Sequence, residues 1–205
     1  MLLRFVLFFT ICFISFEANG QLLPGDVKSN TIKPRENNDG LAGAYYAGFG
    51  FKSVKTINEW GLDFGGSFGG MVSDHFSIGM SLYSLITQNV RILPEKPYFL
   101  RIIYGGLEPM FMFKAGDFVF RTKVLLGMGF ASYSENVNLD VLSDMNGDWI
   151  MVGEPSLGIS YIADESIWIE IDAGMRATGG VDFKNIASAD LNGPFIAVSL
   201  RTLIF

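Results

Sequence analysis

The chain has 205 residues, 49% of them hydrophobic, and its 15 basic and 21 acidic side chains leave a net charge of −6. An acidic balance of this size speaks against a phosphate-backbone partner, which excludes nucleic acid as a ligand class. A single cysteine, Cys12, provides no disulfide pair and no thiolate set for a metal.

In chain order, the first twenty residues place a base at Arg4, an apolar run over Phe5–Phe16, and Ala18-Asn19-Gly20 ahead of Gln21. That is the layout of a secretory signal with a small-x-small cleavage site, its apolar stretch too short for a spanning helix. We therefore read residues 1–20 as a signal peptide and start the mature chain at Gln21. Cleavage removes one base, one acid and the only thiol (Arg4, Glu17, Cys12), so the charge stays at −6. Residues 21–40 are polar, contain two prolines and show no period, as a flexible N-terminal extension does.

From Leu41 the pattern changes. Trp60, Leu62, Phe64 and Phe68 alternate with Gly61, Asp63, Gly65 and Ser67, a period of two that means strand. The cycle restarts after each group of turn residues and predicts eight strands, near 41–52, 58–71, 76–87, 98–114, 117–133, 148–162, 166–176 and 194–205. Short turns are expected at Ser73-Asp74, Ala115-Gly116 and Asp164-Glu165, and mostly longer connections elsewhere. After the signal, no apolar run approaches the roughly 18 residues of a membrane helix, so any crossing is made by strands. The expected fold is an all-β, eight-stranded antiparallel up-and-down transmembrane barrel over residues 41–205.

The placement of charge gives this reading its physical content. Large apolar side chains share one face of each strand, and Asp63, Arg101, Glu108, Arg121, Lys123, Glu154, Glu170 and Asp172, with Arg176 as a further candidate, fall on the other. A basic residue at mid-depth on a lipid face costs roughly 2–4 kcal/mol, which accounts for the segregation. Strand four obeys it only if the alternation slips at Gly105-Gly106, putting Leu100, Ile102 and Tyr104 outside. The last strand requires either a slip near Arg201 or an Arg201 that reaches to the interface. Eight strands enclose a bore that side chains fill, so the inward charges are expected to pair in a plugged lumen. A two-residue turn at Ala115-Gly116 makes opposed positions sum to 231 and sets Glu108 across from Lys123. A turn centred on Glu165 sets Glu154 across from Arg176.

These strands, with the terminal Phe205, resemble the small outer-membrane β-barrel proteins of Gram-negative bacteria, of the OmpX and OmpA-barrel type. The glycine-rich stretches Leu62–Gly70 and Phe76–Leu82, together with Gly20 before Gln21, look most like the versions found in Bacteroidetes. The resemblance implies location in the cell outer membrane, contact with its lipid, and recognition by the barrel assembly machinery through a last strand ending in Phe205. It also implies a non-enzymatic role in envelope integrity or surface interaction, with the loops 134–147 and 177–193 as candidates for contact with a surface ligand.

Catalytic chemistry finds no constellation, and no catalytic, cofactor-binding or metal-ligating residue is assigned. The only histidine, His75, sits beside Asp74 in a turn and reads as a polar turn residue. Asp140, Asp144, Asn146 and Asp148 miss the spacing of a calcium loop and read as an acidic solvated loop. The alternative from another class is a secreted, soluble lipocalin-like barrel binding a small apolar ligand, whose large side chains would line a cavity beneath a polar exterior.

Overall fold

A computed structural model describes residues 41–57, 59–87, 90–93, 96–134, 147–183 and 186–204. Residues 1–40, where a signal peptide and an extension are expected, most of the loop 134–147 and Phe205 lie outside the described residues. Eight strands form the wall: β1 Tyr45–Thr56, β2 Glu59–Ser73, β3 Phe76–Leu85, β4 Lys96–Ala115, β5 Phe118–Ser134, β6 Gly147–Asp164, β7 Ile167–Gly179 and β8 Gly193–Ile204. Each pairs antiparallel with its sequence neighbours, and β1 pairs with β8, closing the barrel. A three-residue strand, Arg91–Leu93, adds to β4 at one end.

The alternation expected from the sequence carries the large apolar side chains outward. Met128, Trp149, Met151 and Leu157 expose 64–72% of their surface, whereas Asp63, Glu108, Glu154, Glu170 and Asp172 are buried in the interior. The rule holds through β4 without a slip. Leu100, Ile102 and Tyr104 are buried on the same face as Glu108, Met110 and Met112, and Leu107, Phe111 and Phe113 are exposed on the other. Gly105-Gly106 is therefore not a bulge: Gly105 pairs with Met128 and Gly106 with Gly127 in unbroken register. In consequence Arg101 stands on the outer face, opposite Ser132 near the end of β5, and is not one of the inward charges. The interior accepts the apolar residues of β4 because it is not polar throughout.

β8 also needs no slip. Ile196, Val198 and Leu200 face outward as expected, and the alternation runs on to Ile204, leaving Leu203 and Arg201 inside. Neither of the two outcomes foreseen for Arg201 occurs, because an interior carboxylate receives it.

All three tight turns lie one residue later than expected, at Asp74-His75, Gly116-Asp117 and Glu165-Ser166. Gly116 has φ +61, and a glycine with positive φ at the first central position is what a II′ hairpin turn requires. Opposed positions of β4 and β5 consequently sum to 233, and Met110, not Glu108, is directly across from Lys123. The turns before β3 and β7 are each preceded by a register shift, between Met71 and Ser73 in β2 and between Ile162 and Asp164 in β6. Beyond the second shift the sum of 330 expected for β6 and β7 holds.

Two apolar clusters occupy the ends of the interior. At the short-turn end Leu41, Ala44, Tyr46, Met71, Met110, Met112, Val119, Trp168 and Leu203 pack together. At the other end Leu85, Val90, Leu100, Ile102, Tyr104, Leu125, Ile150 and Val152 form a second cluster. The connection after β7 joins it by folding inward, with Val181, Ile186 and Leu191 buried. That segment carries a short hairpin, Asp182–Phe183 with Ile186–Ala187, and a 3₁₀ turn, Ser188–Leu191. It is tied down where Thr178 N–H donates to Asn192 Oδ1 (2.6 Å), Val181 N–H to Ser188 Oγ (3.0 Å) and Ile57 N–H to the Asp190 carbonyl (2.8 Å). Part of the loop expected to reach outward at 177–193 is thus core.

Candidate functional site: the interior charge network

Between the two apolar ends the strands direct ten charged side chains inward among the described residues: Lys52, Asp63, Glu108, Arg121, Lys123, Glu154, Glu170, Asp172, Arg176 and Arg201. Five are basic and five acidic. Each is placed by the period-two rule, since its neighbours on either side are outward apolar or small residues. Glycine makes room for them. A side chain at Gly65 would fall on the ring of Tyr83, and that ring lies 3.5 Å from Lys52 Nζ, centroid to nitrogen.

The charges divide into two groups, each neutral. In the first, Glu154 binds Lys52 and accepts from Arg176 Nε at 2.7 Å, while Arg176 also binds Asp63. Tyr104 sits at the centre: its hydroxyl accepts from Lys52 Nζ (3.2 Å) and from Arg176 Nη2, and lies 2.9 Å from Asp63 Oδ2 and 3.0 Å from Glu154 Oε1. The Arg176 guanidinium also stacks 4.6 Å over the Tyr104 ring. Ion pairs removed from water need such added hydrogen bonds to offset desolvation.

In the second group Arg121 makes a bidentate bridge to Asp172, with Nε–Oδ1 at 3.1 Å and Nη2–Oδ2 at 2.9 Å, and also binds Glu170. Lys123 lies 3.1 Å from Asp172 and 3.8 Å from Glu108, and Arg201 pairs with Glu170 at 2.9 Å. The Tyr46 ring lies 4.1 Å from the Arg201 guanidinium. A cavity of about 10 Å³ is lined by Ser67, Tyr83, Lys123, Glu170, Ser199 and Arg201 among others, a space about the size of one water.

The barrel can be compared with solved structures. No family model matches the chain, and no curated protein does either. Among solved structures it is similar to Neisserial surface protein A (TM-score 0.58, 12% identity, 78% of this chain and 95% of that one). It is also similar to the N-terminal β-barrel domain of Pseudomonas aeruginosa OprF (0.50, 12%, 80% and 99%). Ail, the attachment invasion locus protein of Yersinia pestis, gives 0.50 at 10% identity over 80% and 99%. The shared property is the fold. At such identity no residue role transfers from them, and the network has to be read from this chain alone.

Seven of the eight charges expected inside are there, Arg101 being the exception, and Arg176 joins them. Both expected pairs form, Glu108 with Lys123 and Glu154 with Arg176. Glu108 reaches Lys123 diagonally, because the register places Met110 opposite the lysine. The structure adds Lys52 and Arg201 to the interior, which the strand pattern alone does not, and it buries Tyr104, which the expected slip in β4 puts outside. Phe49 and Phe51, both outward, carry the signal for Lys52 one position on; the outward series Ile196, Val198, Leu200 carries it for Arg201. His75 is exposed in its turn, and its carbonyl accepts from Met112 N–H at 2.9 Å. Among the described residues no group of three or more His, Cys, Asp or Glu side chains is arranged to hold a metal.

Proposed function

We propose that the protein is a non-enzymatic barrel of a Gram-negative outer membrane, exported by the signal at residues 1–20, with a plugged lumen and a role in envelope integrity or surface contact. The observation that carries this reading is the inverted polarity: an apolar exterior around an interior of ten paired charges. In water such an exterior is an aggregation surface, whereas in lipid it is the stable arrangement. A lipocalin-like binder requires the reverse distribution. The longer connections, at the end opposite the tight turns, face outside in this reading, and those near 134–147 and 177–193 remain the candidates for a surface ligand. The last strand, ending in Phe205, is the segment offered to the assembly machinery.

Membrane fractionation combined with a heat-modifiability gel tests the proposal. Protein recovered from the outer membrane is expected to begin at Gln21 and to migrate differently before and after boiling. Recovery in the soluble fraction without detergent, or retention of residues 1–20, overturns it.

A further inference from the structure

Two Glu-Pro steps, Glu108-Pro109 in β4 and Glu154-Pro155 in β6, alter the wall in the same way. Between β4 and β5 the ladder pairs Leu107 with Leu126 and resumes only at Met110 with Lys123; between β6 and β7 it pairs Gly153 with Ala177 and resumes at Ser156 with Gly174. The sum of opposed positions is the same on both sides of each break, so neither is a bulge and rungs are missing. Proline has no N–H to donate and is normally kept out of central strands. Among the described residues these are the mid-strand breaks that leave the register unchanged. Behind each break the glutamate points inward and binds a base on the facing strand: Glu108 to Lys123, and Glu154 to Arg176.

We propose that the two breaks are seams in the barrel wall, each latched from inside by the ion pair that crosses it, and that the β4–β5 seam is the one that opens. The two latches are unequal. Glu154 is held by Arg176, Lys52 and the Tyr104 hydroxyl together. Glu108 has one ion pair, at 3.8 Å, to a lysine that lies closer to Asp172, and its Oε1 has no hydrogen-bond partner. The surroundings differ as well. The register sets Leu125 opposite Glu108, and Leu125 belongs to the apolar cluster at the long-connection end. An open β4–β5 seam therefore joins the lipid face at Pro109 to Leu125 of that apolar cluster, beside the Glu108–Lys123 pair, whereas the other seam opens onto Arg176. Unpaired backbone is costly in hydrocarbon, so the stretch with fewest rungs and the weaker latch is the first to part.

Labelling of Leu125→Cys in phosphatidylcholine proteoliposomes tests this, in the chain from Gln21, which carries no other cysteine. The probes are a pyrene maleimide, which partitions into the bilayer, and a membrane-impermeant charged maleimide. Glu108→Met removes the latch and leaves Lys123 on Asp172, and is expected to speed labelling by the lipid-soluble probe roughly tenfold. Pro109→Val restores the missing donor and is expected to abolish that gain. An equal gain in the Pro109→Val background, or faster labelling by the impermeant probe, overturns the seam. Hydrogen exchange on the unaltered barrel gives a second reading that needs no cysteine. Amides flanking Pro109 are expected to exchange faster than those flanking Pro155, and equal or reversed protection refutes the order of opening.

Discussion

Lys123 illustrates how a buried charge in this barrel depends on its neighbours. Its ammonium serves two carboxylates, Asp172 at 3.1 Å and Glu108 at 3.8 Å, and only Asp172 has a second base, in Arg121. Lys123→Ala therefore strands Glu108, and loss of one partner from a buried pair costs about 3–5 kcal/mol. The double change Glu108→Ala with Lys123→Ala removes the stranded carboxylate as well. Urea unfolding of the barrel in vesicles is expected to find the double variant more stable than Lys123→Ala alone. A double variant as unstable as the single one, or more so, would show that Glu108 does not depend on the lysine. Gly65 makes a complementary point about space. A valine there displaces Tyr83 from Lys52, so it is expected to destabilise through a ring that it touches only from the neighbouring strand.

At the scale of elements, the turns decide the register and the alternation decides the face. Gly116 occupies the first central position of its turn at φ +61, where a β-branched residue is strained by about 1–2 kcal/mol. Gly116→Val is expected to lower the stability of the β4–β5 hairpin by that amount, read as a lower urea midpoint, while Asp117→Ala changes it little. This explains which parts of the fold were legible in the sequence. A turn displaced by one residue moves the register by two, which keeps every side chain on its own face. Glu108, Arg121 and Lys123 therefore lie on the expected inner face although opposed positions sum to 233 and not 231. The failures share another cause, the assumption that the interior is polar along its whole length. Leu100, Ile102 and Tyr104 read as outward only on that assumption, which turns Arg101 inside in exchange. The inward fold of the segment holding Val181, Ile186 and Leu191 has no periodic signal, because connections carry no alternation from which to read a face.

For the whole molecule, the interior charges sum to zero among the described residues, five basic against five acidic. An interior in which each of these charges has an ion-pair partner of opposite sign offers a passing ion little field to follow. The geometry points the same way. An eight-stranded bore is only wide enough for side chains to fill. Here the middle holds Arg121, Lys123, Arg176 and Tyr104, and apolar clusters seated on Trp168 and Leu203 at one end and on Leu125 and Ile150 at the other flank that polar layer. In the plugged lumen proposed above, three layers in series have to be displaced before water can run through, and the middle one separates only by parting ion pairs. Planar-bilayer recordings of the reconstituted barrel are therefore expected to show no stable conductance step. Leu191→Ala, which thins one apolar layer by a fully buried side chain and costs about 2–5 kcal/mol of stability, is expected to lower the unfolding midpoint without creating a channel. A steady step of general-porin size in the unaltered protein would refute the filled interior and, with it, the reading of the charge network as structural.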